Sequence, residues 1–196
     1  MNSLILASAS AVRAQILRNA GVPHTVYPAQ VDEEAVRTRM QGAPGRLVAE
    51  RLAELKAVTV STQYPQHLVL GADQVLEFDG ALFSKAPTLD AARAQLRKLR
   101  GAHHQLIGTL VLARDGAPLW YHTDVSTLWV RNFSEAFLEA YLEAEGNVIL
   151  GSVGCYRYEG LGAQLFDRVE GDYFSILGLS LLPLLAALRD HGVIPR

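Results

Sequence analysis

Charge and sulfur are both scarce in this sequence. Of its 196 residues only 19% are Asp, Glu, Lys or Arg, against ~25% in an average globular chain, while 49% are hydrophobic. A chain this apolar buries a sizeable core, which excludes a disordered one. A basic excess is also missing: 18 Lys and Arg stand against 20 Asp and Glu, a net charge of −2. That disfavours stable binding of nucleic acid, which needs a cationic surface. A small polyanion, met by a few local cations, stays open. The single cysteine, Cys155, excludes an internal disulfide and a cysteine-rich zinc site and points to a reducing compartment. None of the six histidines has a His-x-x-x-His spacing that would suggest zinc. The longest uncharged apolar stretch, Leu177 to Leu188, contains Ser180 and Pro183 and falls short of the ~20 residues a membrane helix needs. No basic residue precedes the first apolar run, and the first positive side chain is Arg13, so no signal peptide is expected. The expectation is a soluble, cytoplasmic protein with no membrane partner.

What is present alternates between strand and helix patterns. Leu4 to Ala7 reads as a buried strand, followed by small residues and a helix carrying Val12, Ile16 and Leu17. His24 to Tyr27 is extended and leads to an acidic cluster, Asp32-Glu33-Glu34, which is either a solvated acidic loop or a source of metal-site carboxylates. Beyond the turn at Gly42 to Gly45 lies an amphipathic helix with Leu47, Val48, Leu52, Leu55 and Val58 on one face. His67 to Leu70 is a second buried strand, ending at Gly71-Ala72-Asp73, and Val75 to Phe78 opens a hairpin at Asp79-Gly80. Thr88 caps a helix from Leu89 to Leu99, and Ser134 caps another to about Ala144. Between them Leu106–Ala113 and Leu119–Val130 are strands joined at Asp115-Gly116-Ala117-Pro118. A glycine-rich stretch, Gly151 to Gly162, precedes a short strand at Gln164 to Val169, and the last helix spans Leu181 to Asp190. There is no repeat and no linker, so one domain, 1–196, is expected. The mixture of crossovers and hairpins predicts an α/β fold with a mixed sheet.

Three places carry candidate chemistry. The turn Ser8-Ala9-Ser10-Ala11 with Arg13 lies at a helix N-terminus, where free N–H groups, hydroxyls and a guanidinium suit phosphate. The plainer account is that Ser10 caps the helix and Arg13 is solvated. It is not a Walker loop, because the glycines and the lysine are missing. Asp73, at the end of an apolar strand, could join Glu33 or Asp32 in a Mg²⁺ site, since two carboxylates plus substrate phosphates satisfy that hard cation; equally, it could cap a turn. Lys56 and Lys85 could neutralise phosphate or be surface lysines.

Taken together these residues resemble the Maf family of nucleoside triphosphate pyrophosphatases. The resemblance runs in order through Leu4-Ile5-Leu6-Ala7-Ser8-x-Ser10, Val31-Asp32-Glu33, Leu52-Ala53-x-x-Lys56-Ala57, Gly71-Ala72-Asp73-Gln74, Asp79-Gly80, Lys85, Gly101-x-x-His104, Tyr156-x-x-Glu159-Gly160, Glu170-Gly171-Asp172-Tyr173 and Gly178-Leu179. It implies a strongly twisted mixed sheet flanked by helices, with two lobes around a central cleft. The implied activity is Mg²⁺-dependent cleavage of a nucleoside triphosphate, of noncanonical or modified type, to nucleoside monophosphate and pyrophosphate. By the same resemblance Asp73 is the proton acceptor and a metal ligand, Glu33 its metal-side partner, and Lys56 and Lys85 the catalytic lysines. Ser8, Ser10 and Arg13 would cradle the triphosphate. Val12, Gln74 and Glu159 match the positions that govern base choice; Gln74 and Glu159 lean toward the branch acting on 7-methyl-GTP, and Val12 fits neither branch. Where the family has Pro-Arg-Arg this chain has Ala11-Val12-Arg13, and a late family lysine is Ser152, with Arg157 as a substitute cation. Arg100 adds a cation before Gly101, and a late family Asn is Ser175. These departures motivate an alternative: a catalytically weak nucleotide-binding regulator on the same scaffold, linked to cell division control. A homodimer is left open.

Overall fold

The computed structural model describes residues 4–196; residues 1–3, the start of the segment that argues against a signal peptide, lie outside the described residues. The chain forms two compact units. The first comprises residues up to Gln74, Ile107–Asp124 and Tyr173–Arg196, and the second Val75–Leu106 and Val125–Asp172.

Among the described residues seven strands form one mixed sheet: β1 (Leu4–Leu6), β2 (His24–Val26), β3 (Leu68–Phe78), β4 (Ala81–Phe83), β5 (His103–Arg114), β6 (Ala117–Val130) and β7 (Phe166–Glu170). The order is β2-β1-β3-β5-β6-β7, with β4 also on β3. β1 pairs in parallel with β2 and with β3, while β4 and β7 pair antiparallel to β3 and β6. The mixed α/β sheet expected from the sequence is therefore present. Asp79-Gly80 and Asp115-Gly116 have positive φ at both residues, the geometry that two-residue hairpins require.

In the first unit β1 and β3 are buried on both faces, as parallel strands between helices are. Leu4, Leu6, Leu68, Leu70 and Ala72 face helices α1 (Ala11–Asn19) and α7 (Leu181–Asp190), packing with Leu17, Leu184 and Leu188. Ile5, Ala7 and Val69 face the opposite way, onto Val60 of helix α3 (Gly45–Gln63). The alternation follows from the two-residue period of a strand, and it fixes which face Asp73 shares: that of Val69 and Gly71.

Two features differ from the expectations of the sequence. Strand β3 does not end at Gly71-Ala72-Asp73 but continues to Phe78. Gly71 reads as a turn residue, yet its role is close packing: a Cβ there would lie 2.2 Å from Ala53 O and 2.6 Å from Ala57 N of α3. The acidic cluster is not a loop. Asp32 caps a short helix, α2 (Glu33–Arg39), its side chain accepting from Ala35 N at 2.9 Å.

The second unit holds α4 (Leu89–Leu99) and α5 (Glu135–Glu145), capped by Thr88 and Ser134 as expected. Arg93 pairs with Glu139, and Arg97 and Arg100 with Glu135. Each such exposed pair contributes little, ~0–1 kcal/mol, but together they occupy Arg100, the extra cation of the sequence. No helix among the described residues is long and apolar enough to cross a membrane.

Candidate active site

Of the candidate residues singled out in the sequence, all but Lys85, Arg157 and Glu159 belong to the first unit, and Ser8, Arg13, Glu33, Lys56 and Asp73 lie close together. Strand β1 ends beneath the Ser8–Ser10 turn. Ser10 caps α1, its Oγ accepting from Arg13 N at 3.3 Å, so the capping account of Ser10 holds. The solvated-charge account of Arg13 does not. Arg13 donates from Nε to Gly178 O at 2.8 Å, and from Nη1 to Ser8 Oγ at 3.1 Å and Ala72 O at 3.0 Å. The guanidinium thus bolts α1 to β3 one residue before Asp73. Burial pulls its pKa down, and the nearby charges of Asp73 and Glu33 pull it back up; an arginine stays charged throughout. The first-turn N–H groups of Ala11 and Val12 have no intrahelical acceptor.

Asp73 is 4% exposed and Lys56 8%. Lys56 Nζ lies 2.7 Å from Asp73 Oδ1 and 2.8 Å from Glu33 Oε1, bridging the two carboxylates. Lys56 is therefore no ordinary surface lysine. Of the two acidic candidates beside Asp73, Glu33 reaches the site and Asp32 is spent on the cap of α2. The α3 spacing explains the lysine: Ala53, Lys56 and Ala57 lie on one helical face, and the small alanines let the helix sit against Gly71. The other oxygen, Asp73 Oδ2, is buried without a hydrogen bond. Arg37 Nη2 lies 3.6 Å from this oxygen and 3.9 Å from Glu33 Oε2. Arg37 is not among the residues expected from the sequence. Its signal is the Glu33–Arg37 i,i+4 spacing, visible only once residues 33–39 are seen as a helix.

Gln74 donates from Nε2 to Ser175 O at 2.9 Å and Ile176 O at 3.4 Å, anchoring β3 to the short helix α6 (Tyr173–Ile176). Ser175 in turn donates its hydroxyl to Asp124 Oδ2 at 2.6 Å. Val12 is partly buried against the β1–β3 core.

Lys85, Arg157 and Glu159 lie in the second unit. Lys85 and Glu159 are exposed. Arg157 Nε donates to Glu145 Oε2 at 2.9 Å. The Glu145 side chain is 2% exposed and that of Arg157 41%, so the cation expected to serve phosphate also neutralises a buried carboxylate. His104 and Tyr156 form a buried pair in the same unit, Nε2 to OH at 2.7 Å. Burial, aided by His103, pushes the His104 imidazole down to about 4. The unfolded chain takes up this proton below ~6.5 and the folded one only below about 4. Stability is therefore expected to fall by about 3 kcal/mol as pH drops through that window, and to level off below it. Urea denaturation at pH 7 and pH 4.5 checks this: His104→Gln should flatten that part of the pH dependence.

Whether a divalent cation fits can be judged from the donors. Among the described residues no cluster of three or more His, Cys, Asp or Glu could hold a metal ion, which argues against a closed protein cage. Asp73 and Glu33 supply hard oxygens, and the buried Oδ2 without a hydrogen bond is one such donor. That suits Mg²⁺, which keeps waters and takes one or two carboxylates plus substrate phosphates.

Comparison with known proteins identifies the family. Residues 3–191 match the family described as Maf-like protein. The chain is 52% identical over 190 residues to the nucleoside triphosphate pyrophosphatase of Granulibacter bethesdensis, covering 96% of each chain. It is 50% identical over 194 residues to that of Maricaulis maris, covering 99% of each. With the 7-methyl-GTP pyrophosphatase of Brucella abortus biovar 1 it shares 44% identity over 193 residues, 97% of each chain. Matched over residues 3–191 and by relatives about half identical along nearly its whole length, this protein belongs to the Maf family.

Proposed function

We propose that the protein is a nucleoside triphosphate pyrophosphatase that hydrolyses the α–β anhydride of noncanonical or modified nucleotides to nucleoside monophosphate and pyrophosphate. The observation that carries the reading is the Asp73–Lys56–Glu33 triad, with a carboxylate oxygen of Asp73 buried and without a hydrogen bond. A buried carboxylate in that state costs stability, and a role toward ligand accounts for keeping it. Full-length relatives at 50–52% identity carry the name of this activity.

Asp73 and Glu33 would hold a divalent cation, Mg²⁺ for preference, which when bound supplies positive charge to the phosphates. Asp73 accepts the proton of the attacking water. Water adds across the anhydride, the bridging P–O bond breaks, and pyrophosphate leaves with the charge that develops on it. Lys56 holds both carboxylates in place and adds positive charge. The α1 turn, with Ser8 and Ser10, receives the triphosphate at its N–H groups, while Arg13 fixes that turn. Lys85 and Glu159, exposed in the second unit, stay assigned to phosphate and base; Gln74 and Val12 act on base choice through the shape of β3 and α1. Arg157 stays assigned to phosphate, with its Nε held by Glu145.

The test is product analysis with Mg²⁺ and a panel of dTTP, UTP, GTP and 7-methyl-GTP. Nucleoside monophosphate and pyrophosphate in equal amounts are expected; nucleoside diphosphate and orthophosphate would overturn the reading. The panel also decides base preference, since relatives named for 7-methyl-GTP and for nucleoside triphosphates in general both match across the chain. The ion pair that Arg157 makes with Glu145, which shares its charge with a buried carboxylate, supports the second reading, a nucleotide-binding regulator. It predicts thermal stabilisation by nucleotide with no pyrophosphate released.

A further inference from the structure

Four carboxylate oxygens face two cations in the first unit, and the two cations hold them differently. Lys56 takes Asp73 Oδ1 and Glu33 Oε1 at 2.7 and 2.8 Å, both full hydrogen-bond distances. Arg37 Nη2 faces Asp73 Oδ2 and Glu33 Oε2 at 3.6 and 3.9 Å. Those are ion-pair distances beyond a hydrogen bond, although a guanidinium fork is well suited to clasp a carboxylate closely. The two lysine contacts are locked and the two arginine contacts are loose. The loose pair includes Oδ2, buried and without a hydrogen bond. Arg37 therefore lends its charge to the face of Asp73 that a divalent cation would use, without giving Oδ2 a hydrogen bond. The Arg37 side chain is 23% exposed, against 10% for Lys56, so it already borders solvent.

We infer that Arg37 is a resident counter-charge that competes with the divalent cation for Asp73 and Glu33 and is displaced when the cation binds. The inference rests on the reading of Asp73 and Glu33 as the metal side of the site. With Lys56 and Arg37 present, the two carboxylates carry no net negative charge, so the bare protein binds a divalent cation weakly. The cation then enters chiefly with its nucleotide, whose phosphates contribute the missing negative charge and remaining oxygens. Arg37 is a positioning residue in this scheme: it acts through Asp73 and Glu33.

Binding of Mn²⁺ alone, followed by electron paramagnetic resonance without nucleotide, tests it. Arg37→Gln removes one unit charge at contact range. After allowance for its partial exposure, that predicts Mn²⁺ binding about tenfold tighter than wild type. Arg37→Lys, which keeps the charge, is expected to stay near wild type. A purely structural Arg37 would make Arg37→Gln bind Mn²⁺ equally or less well, and that result overturns the inference, as does absence of Mn²⁺ binding to either protein. Should Arg37→Gln not fold, the wild type itself decides. The Arg37 Nε–Hε resonance, assigned by its loss in Arg37→Lys, should shift on saturation with Mg²⁺, and a resonance that stays put overturns the proposal. None of these readings requires turnover. A wild type that releases pyrophosphate while Arg37→Gln shows unchanged Mn²⁺ affinity sinks this inference and leaves the pyrophosphatase reading standing.

Discussion

Asp73→Asn is expected to lower the rate of pyrophosphate release by roughly 10²–10⁴-fold, the usual contribution of a positioned general base, while the protein still folds. Asn keeps the shape of the side chain and removes the charge. The fold should tolerate this because the carboxylate is only half satisfied: Oδ1 is bonded to Lys56, but Oδ2 is buried without a hydrogen bond. The Ser8–Arg13–Ala72 contacts that shape the α1 turn do not involve the Asp73 side chain, so nucleotide should still bind. The measurement is single-turnover pyrophosphate release together with nucleotide-induced thermal stabilisation. A variant that retains nucleotide binding but not release matches the proposed role. Undiminished release would remove Asp73 from the chemistry, and loss of both together would assign it to binding.

Much of this site is legible in the amino-acid sequence, for definite physical reasons. The helix α1 start is readable because small polar residues after an apolar strand signal a cap, and Ser10 is that cap. The hairpins at Asp79-Gly80 and Asp115-Gly116 are readable because few residue pairs accept two positive φ angles. From the residues alone Lys56 is only one of two readings, a phosphate cation or a surface lysine, and the resemblance is what decides for the site, since a lysine on an amphipathic helix otherwise reads as solvated. Its burial depends on Ala53, Ala57 and Gly71 being small, a long-range packing fact. Arg37 is hidden because α2 has no buried residue, and without an apolar stripe periodicity has nothing to detect. The fate of Arg157 is hidden likewise: its partner Glu145 ends a different helix, and nothing in the local sequence joins the two.

Gly71→Ala is expected to destabilise the protein by ~3 kcal/mol or more, beyond the ordinary cost of overpacking, and to reduce activity along with stability. The added methyl would meet backbone, at 2.2 Å from Ala53 O and 2.6 Å from Ala57 N, as well as Ala57 Cβ at 2.8 Å. No side-chain rotation relieves contacts with backbone atoms, so helix α3 as a whole must move off β3. Lys56 sits between those two alanines on the same helix and makes its 2.7 Å contact with Asp73 two residues along the same strand face. Moving the helix away therefore lengthens the very contact that bridges the carboxylates. Ala72→Gly offers the control on the adjacent residue, because Ala72 faces the other way, into the cluster with Leu17 and Leu184. It should cost stability through lost packing and backbone freedom, on the order of 1 kcal/mol, without disturbing α3. Chemical denaturation and Mg²⁺-dependent release rates measured on both variants separate the two effects. If Gly71→Ala unfolds at the wild-type denaturant midpoint, the close approach of α3 to β3 is not what sets the Lys56–Asp73 geometry. If it is destabilised but fully active below its transition, the bridge tolerates a displaced helix, and the positioning of Asp73 must then rest on the Arg13 bolt to Ala72 instead.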